Sequence, residues 1–382
     1  MSERAAKRLV LLAAVLSGAC AAPPPASEPW IEVGTSMKYD LAYAFYPLSG
    51  ASIYGTPYRT RYDVFWSRFG PGIPAELQPA LDALKALKDQ QGFLFGASLA
   101  RLFSRLEAQT VAGLADAMEA DDPVVLAEVD SWGPGMLQAY QQGGFKQGLV
   151  GLLRYLDGAG FAAWWEQEVR PTLAGDAAAI ADAGVAALPV REEIARWSLK
   201  AARPGLVRLY PVYFMLHQGQ QILVPGTPGL VYLAFADWPV DFVTLQLVHE
   251  VSHNQLLDWS DAQVVATLDV LHQDPYFSQV FEGQKVTSGY IVFQDFVEEN
   301  VTEGAQMRMA ADLGIPVDPR AYLRTHDNGT HVLSAALLAL EAAKGWNPGG
   351  TESFQAFYLR MVEAGELAPG RILALKTQYL YP

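Results

Sequence analysis

Between Ala75 and Lys200, apolar residues recur at intervals of three and four, as in LQPALDALKALKDQ (77–90) and ASLARLFSRLEAQ (97–109), with breaks at Gly and Pro. This spacing predicts a run of amphipathic helices. The preceding stretch, Tyr39 to Phe69, is rich in Tyr and Gly and keeps no clear period. After Pro204 the texture changes to LVRLYPVYFML, QQILVP and GLVYLAFA, short β-branched and aromatic runs separated by Gly and Pro. These predict two or three strands leading into a helix. The expected fold is α+β and mainly helical. A helical region is expected over 38–204 and a catalytic or binding unit over 205–382, where all six histidines of the chain lie.

The first residues follow another rule. A basic start (Arg4, Lys7, Arg8) leads into an apolar run from Leu9 to Leu16 and then Ser17, Gly18, Ala19 and Cys20, the order of an export signal. Cys20 is the only cysteine, so no disulfide supports the exported body. LSGAC resembles the lipobox of bacterial lipoproteins, which implies lipidation at Cys20, with 1–20 as signal and 21–37 as a proline-rich tether. Cleavage after Ala21 or Ala22, giving a free secreted protein, is the other reading. Losing Glu3 with the three basic residues would move the net charge from −14 to −16. So acidic a body repels phosphate backbones and excludes nucleic acid as an expected partner. No later apolar run reaches the ~20 residues of a membrane helix, so contact with a membrane is expected only through the N-terminal lipid.

The chemistry concentrates in LQLVHEVSHNQLL (245–257). Asp241 is an expected N-cap for a helix beginning at Phe242, with apolar residues spread around much of its circumference. On a helix, His249 and His253 stand about 6 Å apart along the axis on one face, from which two imidazoles can converge on one zinc. Glu250, about 100° around, can reach a water on that metal. Buried without partners, such a trio would cost several kcal/mol, which favours a divalent cation.

HExxH after short strands resembles the zincin metallopeptidases, whose two histidines bind zinc and whose glutamate is general base. The metzincin branch would need Gly at 256 and His at 259, where the chain has Leu256 and Trp259; peptide deformylases use a cysteine ligand, and only Cys20 exists. The gluzincin branch takes its third ligand from a glutamate on a later helix. YIVFQDFVEENVTEGAQMRMA, from Tyr290, carries Asp295, Glu299 and Glu303 stacked at intervals of four beside an apolar stripe. The resemblance implies Glu299 as ligand and Glu303 as the carboxylate that orients a histidine. Glu298 competes with Glu299, and His272 is a weaker third-ligand candidate.

The resemblance further implies one Zn²⁺ per chain, a peptide or protein substrate, and hydrolysis by metal-activated water with Glu250 as general base. GLVYLAFADW is expected either as an edge strand that binds extended substrate or as an ordinary core strand. A donor to the tetrahedral intermediate is expected from His331, which would open a helix capped by Thr330, with His326 and Tyr290 behind it. Two other readings stay open: an acidic binding or assembly lipoprotein without catalysis, and a zinc hydrolase of a non-peptide amide.

Overall fold

The computed structural model describes residues 30–48, 56–91, 94–132, 135–142, 144–202, 205–215, 219–223, 229–287 and 292–382. The export segment, Cys20 and Tyr290 lie outside these residues. The chain is mainly helical with one small mixed sheet.

The three runs after Pro204 form strands close to where their composition puts them: β2 (Val207–Val212), β3 (Gln220–Leu223) and β4 (Leu230–Phe235). A fourth, β1 (Ile31–Val33), comes from the segment expected to be tether and pairs parallel with Val207 to Leu209 of β2. Residues 31–33 are therefore part of the sheet and not of the expected tether. Helix α1 (Met37–Leu48) follows at once, buried along almost its whole length. The sheet order is β1-β2-β4-β3, with β3 alone antiparallel. Pro211 of β2 costs no ladder bond on the β1 side, because β1 ends opposite Leu209.

The helices expected between 75 and 200 are present, including Gln78–Gln91, Val111–Glu119, Phe145–Gly158 and Arg170–Asp182. The unassigned aromatic stretch is also helical, over Met37–Leu48 and Thr56–Phe69. Its tyrosines and phenylalanines fill a core together with residues on both sides of Pro204. Tyr43, Phe65 and Leu149 share one apolar cluster with Phe214, Leu233 and Phe235. Residues Ile31 to Pro382 accordingly form one compact unit, and the expected boundary near 204 divides elements that share a core.

Four helices frame the histidine-rich region: α2 (Val240–Ser252), α3 (Ala262–His272), α4 (Phe293–Asp312) and α5 (Val332–Lys344). Helix α4 packs against α2 and also against α5. Two expected caps differ. Helix α2 starts earlier than expected, after Pro239, whose carbonyl accepts from the N–H groups of Phe242 and Val243; Asp241 lies within the first turn, where its charge suits the helix dipole. At the start of helix α5 the cap position is His331 and not Thr330. Its Leu333 N–H instead bonds across to Asn300 Oδ1 of α4, at 3.0 Å.

Candidate metal centre

Helix α2 is buried on nearly every side, and His249 and Glu250 lie in its last turn with side chains largely out of solvent. The helix stops at Ser252, so His253 is its C-cap and not a helical residue as expected. The cause lies one residue on. Asn254 adopts a left-handed backbone (φ 59°), and its N–H is caught by Glu298 Oε1 at 2.6 Å. The bend keeps the two imidazoles together, with ring centroids 4.6 Å apart and planes at 86°.

Helix α4 supplies the carboxylates. Glu299 faces both rings: Oε1 stands 3.2 Å from His249 Nε2, and Oε2 stands 3.7 Å from His253 Nε2. Ligand atoms held ~2.0–2.2 Å from a tetrahedral zinc lie about 3.3–3.6 Å apart, close to these separations, so they suit a single ion. His249, His253 and Glu299 each offer one donor atom, and the three donors lie within 4.8 Å of one another.

The other nitrogen of each ring is engaged from behind. His249 Nδ1 lies 2.9 Å from Glu303 Oε2 and 3.2 Å from Gln306 Oε1, while Gln306 Nε2 donates to the Leu245 carbonyl at 2.8 Å. His253 Nδ1 lies 3.6 Å from Glu298 Oε1 and 3.4 Å from Thr302 Oγ1. Trp259 Nε1 donates to the second Glu298 oxygen at 2.8 Å. The carboxylate at His249 Nδ1 fixes the tautomer that leaves its Nε2 with a lone pair for a metal, and the more distant Glu298 favours the same tautomer at His253. Glu298, the competitor for the ligand role, is thus occupied in holding His253 and Asn254.

Electrostatics sharpen the case. Burial works against charge on His249, but Glu299 and Glu303 outweigh it and raise its pKa well above the ordinary value. Burial alone would raise Glu299; the two imidazoles reverse that and hold it far below the usual carboxylate range. Glu250 goes the other way, its pKa raised by burial against the opposing charges of His249 and His253. Four carboxylates (Glu250, Glu298, Glu299 and Glu303) surround two imidazoles. Even with both rings protonated the group carries an excess of negative charge, which a divalent cation would offset.

Glu250 sits where β3 meets the helix. Gln221 Nε2 of β3 donates to the Glu250 carbonyl at 2.6 Å. Gly219, just before β3, leaves room for the carboxylate: a Cβ there would stand 2.6 Å from Glu250 Oε1 and 3.2 Å from the Tyr232 ring. The edge strand beside the site is β3. The GLVYLAFADW strand, β4, lies between β2 and β3, so of its two expected roles it takes the core one.

The remaining candidates scatter. His331 is 2% exposed and stands with Glu303 and His326, behind His249. His326 stacks on Tyr322, with centroids 4.4 Å apart. His272 is exposed and packs edge-on against Phe293 at 4.8 Å, outside the metal group. Asp295, the first carboxylate of the stripe, is exposed. Sequence reasoning missed Gln306, Thr302 and Trp259. A spacing of four from Glu298 to Thr302, and of three from Glu303 to Gln306, was the only available signal. Comparison of the chain with protein-family models, with curated proteins and with solved structures finds no match, so the centre is read from its own geometry.

Proposed function

We propose that the protein is a zinc-dependent hydrolase of peptide bonds, built on His249, His253 and Glu299 as ligands and Glu250 as general base. The observation that carries the reading is the orientation of the two imidazoles. Both Nε2 atoms face one carboxylate, and both Nδ1 atoms are backed by others, an arrangement suited to a cation of the zinc class. A zinc ion bound there would supply Lewis-acid activation of water near neutral pH.

The chain's own residues account for the rest. Glu250, with its pKa raised by burial, takes a proton from the attacking water and can return it to the leaving amine. Gln221 fixes the backbone of Glu250, and Gly219 keeps space around its carboxylate. Strand β3 offers an edge at which an extended chain can pair by backbone hydrogen bonds. His331, the expected donor to the tetrahedral intermediate, is buried beside Glu303, and the proposed proton path does not use it. The N-terminal export segment would make this an exported enzyme, tethered by lipid at Cys20.

The test is elemental analysis joined to a peptide-hydrolysis assay. The parent should bind zinc and cleave peptides. Glu250→Gln should keep the zinc and lose about 10²–10⁴-fold in kcat, and His249→Ala and Glu299→Ala should lose the ion at this centre. A parent that binds no zinc at His249 would end the reading. Zinc with no peptide hydrolysis would leave a hydrolase of another amide, or a metal-binding lipoprotein.

A further inference from the structure

A second set of donors lies next to the first and shares only Glu303 with it. Glu303 on α4, His326 on the short turn His326–Gly329, and His331 at the start of α5 each present a donor atom, all within 4.8 Å of one another. Glu303 is 1% exposed, and its two oxygens have different surroundings. Oε2 serves His249 Nδ1 at 2.9 Å, whereas Oε1 is buried with no hydrogen-bond partner among the described residues. A buried carboxylate oxygen without a partner, beside two imidazoles, is the donor pattern of a divalent transition cation.

We infer that Glu303 Oε1, His326 and His331 form a second cation site for zinc or a similar ion, joined to the first through the Glu303 carboxylate. The donor set repeats that of the first centre, two imidazoles and one carboxylate. One adjustment is needed on binding. The His326 and His331 rings lie nearly parallel, with centroids 5.5 Å apart and planes at 19°, so both lone pairs cannot meet at one ion as they stand. His326 is only partly buried and sits on a turn, and its ring can rotate about the soft Cβ–Cγ torsion. His331, fixed at the base of α5, keeps its place.

The site is independent of the hydrolase reading, and metal stoichiometry separates the two. Protein stripped of metal is equilibrated with excess Zn²⁺, freed of unbound ion and analysed, for the parent, His249→Ala, His326→Ala and the milder His331→Gln; circular dichroism checks the fold of each. Two zinc ions per parent chain are expected, one in each variant. Cobalt in place of zinc should give two distinguishable visible absorption bands in the parent and a different single band in His249→Ala and His326→Ala. One ion in the parent that survives His326→Ala and vanishes in His249→Ala overturns the second site alone. One ion that survives His249→Ala and vanishes in His326→Ala supports the second site and overturns the hydrolase reading. Two ions in both the parent and His326→Ala, or none in the parent, also overturn the inference.

Discussion

Glu341 lies on α5, 1% exposed, with Arg308 Nη1 3.7 Å from its carboxylate. Burial pushes its pKa up to about 8, against the smaller opposing effect of Arg308. The folded chain therefore prefers the neutral acid. That preference is fully present below the unfolded pKa near 4.5 and is lost as pH rises toward 8. Glu341→Gln keeps the neutral shape at every pH. Its melting temperature should lie close to that of the parent at pH 4.5 and above it at pH 8, by a margin on the order of several kcal/mol in stability. Thermal melts across that range decide the matter, and parallel curves would mean that Arg308 keeps Glu341 charged throughout. The same physics made the candidate centre legible. Charged residues on a buried stretch need a partner, so His249, Glu250, His253, Glu299 and Glu303 stood out in the sequence. Gln306 and Thr302 did not, because a neutral polar side chain gains its meaning only from what it touches.

At the scale of elements, the site depends on how closely α4 approaches α5. Gly304, next to Glu303, makes that approach: a Cβ there would stand 3.2 Å from Ser334 Cα and 3.4 Å from Ser334 O. Both atoms are backbone and cannot swing aside. Alanine ordinarily gains up to ~1 kcal/mol over glycine inside a helix, but overpacking costs about 1–3 kcal/mol, so the clash should win. Gly304→Ala is expected to lower the melting temperature by a few degrees and to weaken zinc binding, since Glu303 moves with the helix. A raised melting temperature would show that the helices separate freely. This junction also explains what could not be read in advance. Thr330 looked like a cap by its position in the chain, yet the Leu333 N–H is satisfied by Asn300, and the Ser334 hydroxyl donates to the Asn300 carbonyl at 2.6 Å. A cap supplied from another helix leaves no local pattern. The three strands after Pro204 were legible as segments and β1 was not, and their order was hidden too, because composition does not tell β4 in the middle from β3 at the edge.

For the whole molecule, the first described strand, β1, ties the N-terminal end of the described residues into the sheet. Ile31 is 4% exposed and starts a strand that covers the outer side of β2, and the Gly34 N–H continues the ladder to the Leu209 carbonyl at 3.0 Å. Lys38 is buried as well, with Nζ donating to the Leu106 carbonyl at 2.9 Å, so α1 is bound into the helical region. The Glu32–Arg208 ion pair at 3.3 Å is exposed and adds little. What β1 contributes is the burial of Ile31, about 1.5–3 kcal/mol, together with ladder bonds that close the edge of β2. A chain beginning at Trp30 should match the full-length chain in melting temperature and zinc content. A chain beginning at Gly34 should melt several degrees lower and self-associate at high concentration by sedimentation, because β2 then presents an unpaired edge to other copies. Equal behaviour of the two chains would return residues 31–33 to the tether. A lower melting temperature only for the shorter chain would mean that any tether running from Cys20 ends in a strand of the same sheet that holds Glu250 through Gln221.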